Sequence, residues 1–346
     1  EIAEKCQGLA LTISVIAGHL SNTARTLEGW KDVSEIIASH PDKCLGVLGL
    51  SYQHLPNHLK PCFLSLGDFP EDFQVDTRRL IQVWIAEAGG SKSLEEVAIE
   101  YLEDLINRNL IQARKKRFNG EMKAYGMHDL LREFCLIEAE MTKFIHAERT
   151  DQVLITLPTQ KHNVCRFSFQ TLSYSVDDCC KLLPPVARSI YLFSLLDLPS
   201  TPHIKHLGIL PIYRDPIIHE FFSRFNLLRV LAIFHIDVKF KSFPLVITKL
   251  FHLRYLQVQF DGDVPESISE LQNLQTLICS GYYVYRTLPG KIWMMKNLRY
   301  IRMQGATYLP SPRRETILNK HLVLGMQNLD ELSGVCCTSC ANEFPI

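Results

Sequence analysis

The sequence predicts a multidomain chain, α in its front part and α/β behind, and three observations carry that reading. Apolar residues recur at helical spacing through the front of the chain, an extended hairpin pattern interrupts them around Asn119-Gly120, and a strand pattern returns at nearly constant intervals after Leu228. At 346 residues the chain exceeds one compact unit, since domains run to roughly 100 to 200 residues. Hydrophobic residues at 47% and charged residues at 21% supply a sizeable core and exclude disorder.

The front segment, residues 1–72, reads as all helical. Ile2, Cys6, Leu9, Ile13, Ile16 and Leu20 step by three and four and predict one stripe on a first helix. A second helix covers Leu27 to Ala38 ahead of Pro41, and a third covers Cys44 to Leu55 ahead of Pro56. Lys60-Pro61 opens a further apolar run, Cys62 to Leu66, which ends in a turn at Phe69-Pro70-Glu71-Asp72.

Residues 73–148 have a different order of elements. Asp76 is placed to cap a helix that buries Leu80, Ile81, Trp84, Ile85 and Ala88 and stops at Gly89-Gly90. Ser93 and Glu96 form a capping box for a helix with Leu94, Val97, Tyr101 and Leu105 inward. Extended runs at Leu110–Ala113 and Met122–Tyr125 flank a basic loop that contains the Asn-Gly turn signal. Asp129 is then expected to cap a helix with Leu130, Phe134, Ile137 and Met141 on one side. Two helices, a hairpin and a further helix make a winged-helix-like unit.

A linker and cap, residues 149–185, leads to the repetitive part, residues 186–346. Phe243-Pro244, Val264-Pro265 and Leu288-Pro289 each open one frame, with Ile247, Ile268 or Ile292 three residues after the proline and Leu253, Leu274 or Leu298 nine after. Each unit ends in L-x-x-L-x-L or a close variant, and starts at 228, 253, 274 and 298 give steps of 25, 21 and 24. That period is the signature of leucine-rich repeats. Weaker copies at Ala187-Ile190-Leu192 and Leu329-Leu332 begin and continue the array, and no polar cap follows Cys340, so the solenoid reads as truncated.

The composition excludes several functions. Thirty-seven basic residues cancel 37 acidic ones, which leaves no general footprint for nucleic acid or an anionic membrane. The Arg114–Arg117 run on the hairpin supports a winged-helix DNA-binding regulator as an alternative, although such a run is more often a solvated turn. Eleven irregularly spaced cysteines suit a reducing compartment better than a disulfide framework. Cys336, Cys337 and Cys340 lack the fourth ligand zinc requires, and Val176-Asp177-Asp178 reads as a loop. No G-x-x-x-x-G-K-[ST] phosphate loop and no H-E-x-x-H occurs, so no catalytic residue and no metal site is assigned and an enzyme is not expected. The longest apolar stretch, Gly8–Leu20, is 13 residues, too short for a transmembrane helix. All three tryptophans, Trp30, Trp84 and Trp293, fall on apolar stripes and read as core. Starting at Glu1 within a helix, the chain reads as a piece of a longer protein without a signal peptide.

An ordered series of motifs runs through the chain. It comprises Cys6-Gln7-Gly8-Leu9-Ala10-Leu11, Leu50-Ser51-Tyr52 through Leu55-Pro56, Lys60-Pro61-Cys62-Phe63, Phe69-Pro70-Glu71-Asp72, Trp84-Ile85-Ala86-Glu87 and Met127-His128-Asp129, then the repeats. The series resembles plant nucleotide-binding leucine-rich-repeat disease resistance proteins of the coiled-coil class, above all the late blight resistance homologues of the nightshade family. The resemblance implies the helical and winged-helix subdomains of an NB-ARC module followed by a leucine-rich-repeat solenoid. It also implies a cytoplasmic receptor, or one peripheral to membranes, that switches between ADP and ATP, recognises a pathogen effector or guarded host protein, and triggers defence and cell death. In this reading ADP/ATP belongs to the complete protein, with at most slow ATPase activity, and no cofactor is expected for this chain alone. A non-signalling repeat scaffold is the other alternative.

Site expectations follow from the same resemblance. His128 is expected to reach the ADP β-phosphate, with Asp129 orienting it at a helix start where N–H groups favour an anion. Gly8, Leu9 and Ala10 correspond to the family's Gly-Leu-Pro-Leu-Ala element, whose proline lies against adenine. Here alanine replaces that proline, and the stretch after Trp84-Ile85-Ala86-Glu87 is shortened. Alternation along the repeat strands places Tyr255, Gln257, Ile278, Tyr300 and Arg302 outward on the concave side as a partner surface, for an effector or for the receptor's own nucleotide module.

Overall fold

A computed structural model describes residues 10–21, 26–39, 43–71, 73–88, 94–116, 122–148, 164–170, 183–193, 222–234, 240–281, 285–310, 326 and 328–336. Two compact units emerge: Glu1–Ile85 with Ser93–Ala147, and Ala86–Lys92 with Glu148–Ile346. In the first unit, α1 (Ala10–Ser21), α2 (Leu27–Ser39), α3 (Lys43–Gln53) and α4 (Leu59–Leu64) precede a 3-10 turn at Ser65–Asp68. Strand β1 (Val75–Asp76) leads into α5 (Thr77–Ala88) and α6 (Leu94–Asn107), then the hairpin β2 (Gln112–Lys116) and β3 (Met122–Gly126), and α7 (Asp129–Met141). β1 pairs antiparallel with β3, so the expected hairpin gains a third strand. Asp76 caps α5 as expected, its carboxylate accepting from the Arg79 amide at 3.2 Å.

Both α6 and α7 end the same way. Asn109 (φ 57) and Lys143 (φ 55) turn left-handed, and the next amide bonds back five residues: Leu110 to the Leu105 carbonyl at 3.0 Å, Phe144 to Ala139 at 2.7 Å. The buried faces of two helices differ from the expected stripes. In α1, Leu11, Val15, Ile16 and His19 are buried while Ile13 is 37% exposed. In α7, Leu131, Phe134, Cys135 and Ala139 are buried while Ile137 and Met141 are exposed. Helices this rich in apolar residues offer more than one stripe, and tertiary contacts select between them. Trp30 is exposed and Ala88 faces solvent, both contrary to a core placement, whereas Trp84 is buried and Trp293 packs against the repeat core.

The turn after α6 meets α1 closely. A Cβ on Gly18 would lie 2.5 Å from the Arg108 carbonyl oxygen, so a side chain there would force the two backbones apart. Asn109 Nδ2 donates to the Ser14 carbonyl at 2.8 Å. His19 is buried beside this contact, its ring edge-on to His54 at 4.9 Å. Burial, with the neighbouring His54 and Arg108, brings its pKa down to about 4, so His19 is neutral in the folded unit at neutral pH.

β4 (His146–Glu148) spans the division between the units. The second unit carries β5 (Arg166–Phe169), β6 (Ser189–Leu192), β7 (Val230–Ile233), β8 (Tyr255–Gln259), β9 (Thr276–Ser280), β10 (Tyr285–Thr287), β11 (Tyr300–Tyr308) and β12 (Glu331–Cys336). Strands β5 to β9 pair in parallel in chain order; β11 follows β9, and β10 and β12 both pair with β11. Phe167, Ile190, Leu231, Leu256, Leu277 and Ile301 stand in register and are fully buried, forming one row of the solenoid core.

The repeat frame has a physical basis in its prolines. Pro244, Pro265 and Pro289 hold φ near −70° (−69°, −71° and −71°), and each carbonyl accepts from the amide three residues on to start a 3-10 turn. An asparagine ladder ties successive turns together. Asn273 donates to the Phe251 carbonyl at 2.7 Å, Asn297 to Gln272 at 2.7 Å and Asn328 to Lys296 at 2.8 Å.

Two expectations about the array are corrected. It extends at least one strand before Ala187, because β5 pairs with β6; its Phe167 and Phe169 fill leucine positions with aromatic rings, which a leucine pattern misses. The concave side is not open at its start either. Tyr255 is 0% exposed, Ile278 7% and Gln257 9%, with the Tyr255 hydroxyl donating to Gln257 Oε1 at 2.9 Å. Alternation fixes the side of the sheet a residue faces but not what covers that side. Only Tyr300 and Arg302 of the expected surface remain partly exposed, and Arg302 pairs with Glu331 at 3.1 Å.

Within this second unit, Ala86 and Glu87 bind four successive strand starts. The Glu87 carboxylate accepts from Arg166 Nη2 at 3.0 Å and from the Ser189 hydroxyl. Arg229 donates to the Glu87 carbonyl at 3.1 Å and Arg254 to the Ala86 carbonyl at 3.2 Å. Burial lowers the pKa of Arg254, which is the cost of drawing its guanidinium onto these carbonyls.

Candidate functional site

The start of α7 is built by its neighbours on both sides in sequence. β3 runs through Met127 into His128, whose extended backbone (φ −71°, ψ 143°) is that of a helix N-cap. His128 Nδ1 accepts from the Leu130 amide at 3.3 Å, and its carbonyl accepts from the Arg132 amide at 2.8 Å. The capping residue is therefore His128; Asp129, expected in that role, is the first residue of the helix and is exposed. Aspartate remains well placed there, because its charge opposes the positive end of the helix dipole.

This cap determines the tautomer. Nδ1 can accept only when it carries no proton, which leaves the proton on Nε2 and makes that nitrogen a donor directed away from the cap. The half-buried ring is held by its own helix start. It could donate one hydrogen bond to an acceptor such as a phosphate oxygen without loss of the cap.

α7 itself is fixed to the α4 region. Arg132, buried, donates from Nε to the Phe69 carbonyl at 3.1 Å. The Cys135 thiol donates to the carbonyls of Phe63 and Leu64 at 3.4 and 3.5 Å, and burial pushes its pKa up to about 12, so it is a packing residue and not a nucleophile. Trp84 Nε1 donates to the Ser65 hydroxyl at 2.7 Å, and Phe134 meets Tyr52 edge-on at 5.9 Å. Arg132 and Cys135 are positioning residues that the sequence reading did not single out, since both sit among apolar positions and carry no motif of their own.

Of the expected nucleotide-contacting residues, Ala10 is the exposed first residue of α1, while Gly8 and Leu9 lie outside the described residues. Val176-Asp177-Asp178, Cys337, Cys340 and the Ser93 of the capping box also lie outside them. Among the described residues no group of three His, Cys, Asp or Glu could hold a metal ion, and no helix is long and apolar enough to cross a membrane. Arg114 and Lys115 are exposed on β2, as a solvated wing would have them.

Residues 69–135 match the family of the disease resistance protein winged helix domain, and residues 212–344 match a leucine-rich repeat region. The chain carries that winged-helix domain followed by leucine-rich repeats, the order its sequence and fold define. It is similar over 96% of its length to a late blight resistance protein of Solanum demissum, at 32% identity. Two putative late blight resistance protein homologues of the same species are comparably similar, one at 32% identity over 96% of the chain and another at 33% over 87%. The chain spans 23 to 25% of the length of these relatives.

Proposed function

We propose that this chain is the winged-helix and repeat portion of a cytoplasmic plant immune receptor that switches between ADP- and ATP-bound states. The observation that carries the reading is the cap at His128. Its Nδ1 is engaged and its Nε2 is a free-standing donor at a helix start, within a winged-helix domain of the disease resistance type. In the complete receptor, ADP lies against this helix start and the adenine against the segment around Gly8, Leu9 and Ala10. A helical and winged-helix pair of this kind serves as a switch rather than as an enzyme.

Most of the affinity for a nucleotide comes from its phosphates, and the loop, lysine and metal that hold them are not encoded in these residues. Calorimetric titration of this chain with ADP is expected to give no saturable heat, whereas the whole receptor binds in the micromolar range or tighter. Micromolar binding by the chain alone would relocate the site, and a whole receptor that ignores ADP would end the switch reading.

The partner surface in this proposal is confined to β11. Tyr300 and Arg302 remain accessible on β11, and a tyrosine beside an arginine concentrates binding energy well. An effector or guarded host protein, or the receptor's own nucleotide module, is the occupant. With Tyr300→Ala and Arg302→Ala together, effector binding in a pull-down is expected to fall by about tenfold, about 1.4 kcal/mol. Unchanged binding would place the partner elsewhere.

A further inference from the structure

Arg286 is a guanidinium inside the repeat core, and among the described residues it has no ion-pair partner. It lies on β10 and is 2% exposed, and its side chain is a cation. Among the described residues its compensation is slight. Nη2 donates to the Phe260 carbonyl at 3.2 Å, and the group sits 4.8 Å from the centroid of the Phe260 ring. Nε and Nη1 are buried and have no hydrogen-bond partner. An unbalanced buried charge of this kind is too costly to persist without a counter-charge.

A second orphan lies across the ladder. Thr307 pairs in register with Arg286 on the adjacent strand β11, is 0% exposed, and its hydroxyl also lacks a partner. Two unsatisfied guanidinium nitrogens and one unsatisfied hydroxyl belong to one register pair of two neighbouring strands, and each of these atoms can donate. Cys279, buried nearby, does not supply the charge: its thiol is held protonated, with a pKa of about 12, even under the influence of Arg286. Gly281 gives the arrangement its room, since a Cβ there would collide with the Phe260 carbonyl and lie 2.6 Å from Arg286 Nη2.

We infer that the solenoid binds a small monovalent inorganic anion, of halide size, between Arg286 and Thr307. The donor set suits a small spherical anion: the guanidinium provides the charge and an N–H donor from an unpartnered nitrogen, and the hydroxyl provides a second donor from the facing strand. Among the described strands β10, three residues long, pairs only with β11, and access is proposed through this short edge. A phosphate ester or a carboxylate side chain from another molecule is too large for a position this deeply buried.

Thermal unfolding of the full chain at constant ionic strength tests the assignment, with sodium chloride or bromide replaced stepwise by sodium gluconate. The expected result is a repeat-unit Tm that rises by roughly 3 to 6 °C for each tenfold increase in halide above its dissociation constant. The rise should vanish in Arg286→Met and weaken in Thr307→Val. Bromide should give an anomalous-scattering peak within hydrogen-bond reach of both residues in crystals of the chain. A Tm indifferent to halide in the wild type, with no bromide peak between the two residues, would overturn the proposal and leave ordered water as the partner of these donors. If Arg286→Met fails to fold, Thr307→Val alone decides: an unchanged halide dependence in that variant also overturns it.

Discussion

Replacing Glu87 by alanine is expected to destabilise the repeat unit by about 3 kcal/mol, the cost of removing one partner from a largely buried ion pair. The carboxylate is 11% exposed and Arg166, its partner at 3.0 Å, 21% exposed. Alanine would take this carboxylate away from Arg166 and leave the Ser189 hydroxyl without its acceptor. The carbonyls of Ala86 and Glu87 would remain, so Arg229 and Arg254 would keep their bonds and the loss would stay local to β5 and β6. Glu87→Gln, which retains an acceptor for Ser189 but not the charge, is expected to lose about half as much. Urea unfolding of the variants measures this directly. A change below about 0.5 kcal/mol for alanine would mean that solvent already screens the pair, as at ordinary surface bridges.

That cluster also marks the limit of what could be read in advance. Trp84-Ile85-Ala86-Glu87 was legible as a motif, yet nothing local in it says that Glu87 serves the repeats and not its own helix. The partners of Ala86 and Glu87, at 166, 189, 229 and 254, lie 79 to 168 positions from the residue each one bonds. Repeat architecture, by contrast, was legible because it is periodic. Each proline and each leucine of the frame has the same local cause, so several copies vote for one geometry. The first strand escaped because phenylalanine fills its core positions, and the third strand of the wing because β1 has only two residues.

Burial was the least legible property. The stripes assigned to α1 and α7 were rotated because both helices carry apolar residues on several sides, and the choice depends on what each packs against. Tyr255 and Ile278 had the side of the sheet assigned correctly and the exposure wrongly, for the same reason. At the start of α7, His128 was legible only as part of the Met127-His128-Asp129 motif. Its role as the cap was not, since Asp129 is the stronger capping residue by type and only the backbone angles show that the cap falls one residue earlier.

In the proposed switch, His128 acts through Nε2 on a bound nucleotide while Nδ1 caps α7. In the whole receptor, His128→Ala removes both functions. Loss of a hydrogen bond to a charged phosphate is worth about 1.5 to 3 kcal/mol, or roughly 10- to 150-fold in ADP affinity. Because a ligand shifts a two-state equilibrium by its differential affinity, the closed state weakens by the same factor and the variant is expected to cause cell death in leaves without a pathogen. Asp129→Val, which removes only a favourable charge near the helix start, is expected to cost about 0.3 to 1 kcal/mol and to act weakly in the same direction.

His128→Asn separates the two functions. Asparagine is a strong N-cap, so α7 keeps its start, but its short side chain, once engaged with the Leu130 amide, cannot also reach a phosphate. The most direct measurement is calorimetric ADP binding by the whole receptor carrying His128→Asn, beside the wild type. The expected result is a dissociation constant raised by about 10-fold or more with unfolding stability unchanged. Wild-type ADP affinity in His128→Asn would show that His128 is a capping residue only and would contradict its place in the switch.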